Sequence, residues 1–500
     1  MGGMTVGLAL IAKNEEYRLP TLLASIEGAF DQVVLVDTGS SDGTKQVFDA
    51  WASAQGDSEH PFSYTIEDFE WVHDFSAART YADSLLTTDW LVWADCDDEI
   101  IGAQNIRGLI ASAPPEVSAF VCNYNYAQHP ATGQCICTLK RERIVRTGKG
   151  VWQNRVHEAQ VVEGGAQFVE PTVIEWKHRK VAENQDEVFE SGDRNLEILE
   201  SWILDEPENT RVLAYLGTEK AMKGRMEEAK AHYVRYLEVD RGGWPEERAQ
   251  VLRRLASCHM GEGDIDTAVS LAMTGLELLP QWPDNYLTMA EAHHARGEHE
   301  KSIEWAREVL RRGIPDTLLI INPLDYTFQA KKVLAGSLAL LGRVDEALAI
   351  GQEAWQENPM DQDLAHAMTG WRQTAKREHT ANTFGMMFDQ LVAHDEQLKA
   401  RNLLACVPHF IEDHPRIVGA RTLISQRLAW VDDPTKFEDH YATGGSKPED
   451  FLPLDQVDAV CERLPRVSFL LDGLREQLGI EATLDGAMEE MLGAAGVLGA

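Results

Sequence analysis

The chain has 500 residues, enough for two or three domains each with its own core, and a 44% hydrophobic content belongs to a globular rather than a disordered protein. A formal net charge of −35 argues against general affinity for nucleic acid or an anionic membrane, since both bind through clustered Lys and Arg. No run approaches the roughly 18 apolar residues of a membrane span, and seven scattered cysteines are expected to be reduced thiols in a cytoplasmic protein.

The opening stretch, MGGMTVGLALIAKNEE, has no basic leader, and its apolar run from Val6 to Ala12 is too short and too soon acidic for a signal peptide. That run reads instead as a strand. Further runs of strand length, QVVLVD, WLVWAD and AFVCNY, alternate with helix-like segments such as Tyr17 to Glu27, which predicts an α/β domain over residues 1–185. VVLVDTGSSDGT takes a buried strand into Asp37 and then a small, turn-forming segment that lets a nucleotide pass close to backbone; the competing reading is a plain strand-to-helix turn with Asp42 as cap. LVWADCDDEI ends the next long apolar strand in Asp95, Asp97, Asp98 and Glu99. Hard oxygens gathered there suit Mg2+ or Mn2+, which in turn hold a diphosphate; a solvated acidic turn is the alternative. Cys135-x-Cys137 near His129 is spaced too closely for the usual zinc pair. Lys140, Arg141, Arg143 and Arg146 form the dense basic run of this acidic chain, with one or two positions available to a diphosphate or a second ligand and the rest expected on solvated faces of a hairpin.

Beyond residue 185 the texture becomes helical. A Gly-x4-small unit recurs at Gly224–Ala229, Gly263–Ala268, Gly297–Ser302 and Gly342–Ala347, at intervals of 39, 34 and 45 residues. The tetratricopeptide pattern can be laid over each unit: Leu213, Leu216, Gly217, Ala229 and Tyr233 in the first; Leu252, Leu255, Ala256, Ala268 and Pro280 in the second; Tyr286, Met289, Ala290 and Ser302 in the third; Leu334, Ala335, Ala347, Ala354 and Pro359 in the fourth. Small residues let the two helices of a hairpin approach, and the Gly ends the first helix without steric cost. Residues 186–360 are therefore expected to form an all-α repeat solenoid, led by a half-repeat at 185–207 and followed by a helical region at 361–500 with turn signals between 431 and 455.

Seven strings, LIAKNEE, VDTGSSDGT, FSAAR, WLVWADCDDE, RIVR, RVHE and WKH, occur in the order and approximate spacing of family 2 glycosyltransferases with the GT-A fold. The chain resembles the branch in which such a Rossmann-like nucleotide-sugar domain precedes tetratricopeptide repeats. The resemblance implies a nucleotide-sugar donor, UDP-linked, with Asp37 on the base and Asn14 and Glu15 beside it. It implies Arg79 on the nucleotide side, although Thr80 stands where the family often has Asn. Asp95 and Asp97 match the D-x-D pair, with Asp97 as direct metal ligand and Asp95 toward ribose and metal. Glu158, 61 residues beyond Asp97, resembles the general base. His178 resembles the late His that closes over the metal, with His157 as its rival, and an imidazole ligand tilts the choice toward Mn2+ over Mg2+. The implied activity is metal-dependent, inverting sugar transfer to a protein or peptide acceptor held by the repeats. The alternatives are an inactive domain in a repeat scaffold, or the same enzyme acting on a glycolipid or a modified nucleic acid.

Overall fold

A computed structural model describes residues 4–55, 62–129, 132–179, 185–394 and 396–428; the turn signals expected between 431 and 455 lie outside them. The chain divides into two compact units, residues 1–330 and 331–500, each taken by itself below.

The first unit opens as an alternating α/β domain. Strands β1 (Val6–Ala12), β2 (Gln32–Asp37), β3 (Ser63–Asp68) and β4 (Trp90–Asp95) are joined by helices α1 (Leu19–Ser25), α2 (Thr44–Gln55) and α3 (Phe75–Ser84). After β4 come β5 (Asp98–Ile101), α4 (Ile106–Ser112), and the long hairpin of β6 (Val117–Gln128) and β7 (Cys135–Arg146). A small hairpin, β8 (Gly150–Gln153) with β9 (Ala159–Val162), precedes β10 (Gly165–Phe168) and β11 (Glu175–His178). The main sheet runs β3-β2-β1-β4-β7-β6-β11-β5, with β10 also on β6. β1 to β4 are mutually parallel, so helices cover both faces, and β1, β2 and β4 read as continuous apolar runs because both faces are buried. β7 enters antiparallel to β4 and β6, which makes it an interior strand.

The helices that follow pair as hairpins. α5 (Gln185–Asp205) packs on α6 (Thr210–Met222); then α6 pairs with α7 (Met226–Val239), α8 (Pro245–Gly261) with α9 (Ile265–Leu278), and α10 (Pro283–Ala295) with α11 (His299–Arg312). In the second unit α12 (Phe328–Leu340), which begins just before the boundary, is followed by α13 (Val344–Glu357). The four expected glycines sit at the turn inside each pair, Gly224, Gly263, Gly297 and Gly342, with φ between 74° and 82°. There the residue after each Gly donates its N–H to the carbonyl five positions back, as in Arg225 to Lys220 at 2.8 Å and Arg343 to Leu338 at 3.0 Å, closing the helix end. Ala229, Ala268, Ser302 and Ala347 are each fully buried, as close helix approach requires. The 45-residue interval exceeds 34 because an insert between α11 and α12 leaves the solenoid: Ile321 and Thr138 of β7 exchange two backbone hydrogen bonds of 2.9 Å.

In the second unit, the long α14 (Gln362–Ala393) packs with α15 (Gln397–Ala405) and α16 (Pro415–Arg427) around Phe384, Phe388, Leu403 and Ile417. Among the described residues no helix is long and apolar enough to cross a membrane. Cys96, Cys122, Cys135, Cys137 and Cys258 are free thiols, but Cys406 is disulfide-bonded, contrary to the expectation of thiols throughout; scatter along a sequence does not tell which cysteines meet.

Candidate active site

The strand order 3-2-1-4 sends successive connections to opposite sides of β1, which leaves a crevice at the carboxyl ends of β1, β2 and β4. Asp37 pairs with Ala12 and Asp95 with Ile11, so the two acids end the strands on either side of β1, about 10 Å apart at the usual strand spacing. Asp37 Oδ1 accepts from the N–H groups of Gly39 and Ser40, both at 2.8 Å, while its Oδ2 is buried without a hydrogen-bond partner. An unsatisfied buried acceptor costs about 1–3 kcal/mol, which a ligand N–H recovers. Asn14 adopts φ 59°, donates its N–H to Ser40 Oγ at 2.9 Å and accepts from Ser41 N at 2.8 Å. The N–H of Glu15 donates to Thr44 Oγ1 at 2.7 Å. Asn14 and Glu15 thus fasten the turn after β2, whereas Asp37 keeps one buried carboxylate oxygen unpaired. Asp42, the alternative cap, accepts from Glu16 N and Thr44 N, both at 3.1 Å, and belongs to the same stitching.

Arg79 lies on α3, whose N-terminus is capped by Asp74. Its guanidinium is buried over the rings of Trp93 and Trp152, at 4.5 and 5.2 Å from their centroids. From there it divides between two acids: Nε donates to Glu158 Oε1 at 2.7 Å and Nη2 to Asp95 Oδ1 at 2.5 Å. Burial works against its charge, but the two carboxylates hold its pKa above the ordinary value. Burial likewise pushes the Asp95 carboxyl up, and Arg79 and Arg143 overcome that to bring it down to about 2.

The second cluster is made by register. β11 runs antiparallel to β5 with His178 opposite Asp98, although some 80 residues separate them in sequence. His178 Nδ1 lies 3.3 Å from Asp97 Oδ1 and 3.5 Å from Asp98 Oδ1. Tyr124 donates its hydroxyl to Asp98 Oδ1 at 2.8 Å and sits 3.1 Å from His178 Nδ1, and the Tyr126 ring stacks on the imidazole at 4.9 Å and 6°. Burial lowers the His178 pKa, and the two carboxylates more than reverse it, to about 10. Among the described residues, Asp97, Asp98 and His178 are the group whose ligand atoms lie close enough to share an ion, within 4.8 Å of one another. Two hard carboxylates and one imidazole fit Mn2+ better than Mg2+. Asp95, expected in this set, is held by Arg79 instead, and Asp98 takes its place. Asp98 is fully buried, accepts from Asp95 N at 3.0 Å, and faces Arg143 at 3.5 Å.

Glu158 follows the tip of the β8–β9 hairpin. Its neighbour His157 turns away from the acids and stacks on Tyr215 of α6, with ring centroids 4.0 Å apart. The structure therefore brings His178, not His157, to the acidic cluster. The basic run departs from expectation as well. Because β7 is interior, Arg143 is wholly buried against Trp93 and Tyr124, Arg146 lies over Trp90, and Lys140 pairs with Asp316 of the α11–α12 insert. Arg194 on α5 escaped the sequence reading: it lies over Phe75 at 4.9 Å, forms no ion pair with a described residue, and feels the charges of Glu158, Glu15 and Asp97. By accessible surface its side chain is exposed. It sits in a helix that reads as ordinary amphipathic solenoid, so nothing local marked it.

A mixed sheet with acids at the switch point of its parallel half, a metal-fitting cluster beside it and helical hairpins behind define a GT-A nucleotide-sugar domain followed by a tetratricopeptide-like solenoid. Residues 8–136 match the family Glycosyl transferase family 2, so the chain carries a domain of that kind; Glu158 and His178 lie past the matched segment. The chain is 26% identical over 283 residues to a TPR repeat-containing protein of Synechococcus elongatus, covering 54% of this chain and 66% of that protein. It is 23% identical over 228 residues to glycosyltransferase SunS of Bacillus phage SPbeta, covering 45% of this chain and 51% of that one. The chain thus spans between about half and two thirds of the length of the curated relatives it matches. Similar solved structures include a thermophilic TPR protein of Thermus thermophilus, 19% identical, covering 37% of this chain and 93% of that chain at TM-score 0.29. MamA is 16% identical, covering 35% and 87% at TM-score 0.28.

Proposed function

We propose that the protein is a metal-dependent, inverting glycosyltransferase that moves a sugar from a UDP-linked donor to a protein or peptide acceptor held by its helical repeats. The observation that carries this reading is the Asp95–Arg79–Glu158 bridge beside Asp97, Asp98 and His178, which joins a cationic group for a leaving diphosphate to a carboxylate able to take a proton. Asp37 Oδ2 accepts from the base, Arg79 and Arg194 face the diphosphate, and Glu158 removes the acceptor's proton as its nucleophile attacks the anomeric carbon and the nucleotide leaves. Mn2+ held by Asp97, His178 and an adjoining carboxylate, Asp95 or Asp98, would neutralise charge on the departing diphosphate. Stacked helix pairs make an extended surface suited to a polypeptide rather than a small molecule. We place the protein in the cytoplasm, a reading that its five free thiols among the described residues support and the disulfide of Cys406 opposes. Residues 1–185 serve as the catalytic region and 186–360 as the acceptor-holding repeats, with a helical region at 361–500 to which no role is assigned.

The test is a screen of UDP-, GDP- and dTDP-sugars, each with Mn2+ or EDTA, for thermal stabilisation and diphosphate release. A ligand at one hundred times its Kd adds about 2.7 kcal/mol, well above detection. UDP-sugars with Mn2+ are expected to stabilise the protein and to release UDP slowly to water. No stabilisation and no release with any donor would leave the scaffold reading standing.

A further inference from the structure

The hairpin loop that delivers Glu158 is held from two sides. On one, the carbonyl of Arg155 accepts the N–H of Phe75 at 2.8 Å and the carbonyl of Asn154 accepts from the Ser76 hydroxyl, so the loop is tied to the start of the helix that carries Arg79. On the other side lies the solenoid. Arg155 pairs with Asp205 at 2.6 Å, at the end of α5. Val156 is 3% exposed, buried among Leu196, Leu199 and Trp202 of α5 and Val212 and Leu216 of α6. His157 lies flat on Tyr215, the rings 4.0 Å apart and 14° from parallel. Three successive side chains therefore enter α5 and α6, and the fourth, Glu158, turns the other way to Arg79.

That reversal has a backbone cause. Asn154 and His157 adopt φ of 76° and 54°, left-handed values that cost a non-glycine residue about 1 kcal/mol or more and persist only where surroundings over-determine them. Hydrogen bonding does not supply the restraint at His157, because its Nε2 is buried without a hydrogen-bond partner and Glu219 stands 3.8 Å away. The ring stack does. A flat partner fixes the plane of the imidazole, hence the χ angles and backbone of the residue directly before Glu158.

We propose that Tyr215, in the first full repeat, is a positioning residue for Glu158, acting through His157, so that the repeat array sets the placement of the base. The proposal rests on the reading of Glu158 as the base. It gives the repeats a part in catalysis beyond holding an acceptor: α6 contributes to the geometry of the transfer step itself.

The test uses the full chain with Tyr215→Leu, which keeps apolar volume but removes the flat ring, and Tyr215→Phe, which keeps the ring. UDP release from UDP-glucose with Mn2+, UDP affinity with Mn2+, and hydrogen exchange of residues 153–158 and of the Phe75 amide are measured for each. Tyr215→Leu is expected to lower release by about 10- to 100-fold, the scale of a displacement near 1 Å, with UDP affinity unchanged and faster exchange at these amides. Tyr215→Phe is expected to match wild type in all three. Unchanged exchange in Tyr215→Leu, or faster exchange with unchanged release, overturns the proposal. If wild type releases nucleotide from no donor, the functional reading fails and the base role with it, and the exchange comparison, which needs no donor, still decides whether Tyr215 holds the loop.

Discussion

Asp37 and Glu158 belong to one site, and the chain secures them by different means. Asp37 ends a fully buried strand, and its turn is closed by Gly39, Ser40 and the Asn14 side chain, every partner within 27 residues. Glu158 stands on a loop whose restraints come from α3, α5 and α6, reaching from Phe75 to Tyr215. A nucleotide pocket made of strand ends and their own turns is stiff without outside help, because parallel strands buried on both faces cannot shift register cheaply. A hairpin tip has no such lattice and takes its shape from whatever packs on it. Donor binding and proton transfer should therefore separate under mutation.

Asp97→Ala gives the largest expected effect: loss of Mn2+-dependent UDP binding and of UDP release together, read by calorimetry and by release assays, since Asp97 belongs to the metal-fitting cluster on the donor side. Unchanged release in the presence of EDTA would sink the metal assignment. Glu158→Gln should instead lower release by about 10^2 to 10^4 while UDP binding persists, the usual range for a general base. Equal loss of both would make Glu158 a structural residue and erase the contrast between the two sides.

Arg79 joins them, so Arg79→Ala should damage both and also cost about 3 kcal/mol of stability, because Asp95 and Glu158 lose their counter-charge in a largely buried setting. Arg79→Lys should fail to rescue, as one ammonium cannot span two acids in the fork geometry; chemical denaturation and UDP release check both. Within the solenoid, a Cβ on Gly217 would stand 2.4 Å from the Tyr233 ring, so Gly217→Ala should cost about 1–3 kcal/mol by denaturation. It should lower release only as far as α6 moves the Glu158 loop.

The smallest effect concerns Asp83, which accepts from Trp152 Nε1 at 2.7 Å and so props the ring under Arg79. Burial raises its carboxyl from 3.8 to about 6. The folded protein then holds more protons than the unfolded chain between about pH 4 and pH 6, and this group's contribution to stability falls as pH rises through that window. Asp83→Asn should flatten the fall and gain about 1 kcal/mol at pH 7, read as denaturation midpoints against pH. An unaltered pH profile would show that Asp83 is charged in the fold.

Much of the fold could be read along the chain because its causes are local. Apolar runs of six or seven residues became β1, β2 and β4, and the four Gly-x4-small units became helix turns with left-handed glycines and fully buried small residues. Of the expected site residues, Asp37 and Asp95 do end β2 and β4, and Asp97 follows two positions on, a placement that local patterning decides. It was not where strand order decides. The basic run on β7 looked like a solvated hairpin because nothing in KRERIVR says that the strand lies between β4 and β6. Asp98 was one of four acids in the turn, and nothing in the string set it apart until β11 placed His178 opposite it.

The sequence by itself determined the elements, their turns and the acids that close β2 and β4, since helix ends, strand patterning and turn chemistry depend on residues a few positions apart. Tertiary structure alone decided that Asp98 lies beside Asp97 and His178 while Asp95 is held by Arg79, that His157 stacks on Tyr215, that Arg194 of α5 lies over Phe75, and that the α11–α12 insert returns to β7. Each of these joins residues far apart in sequence through sheet register or side-chain packing, and pairings of that kind are chosen by the burial of whole surfaces, which no short stretch of sequence contains.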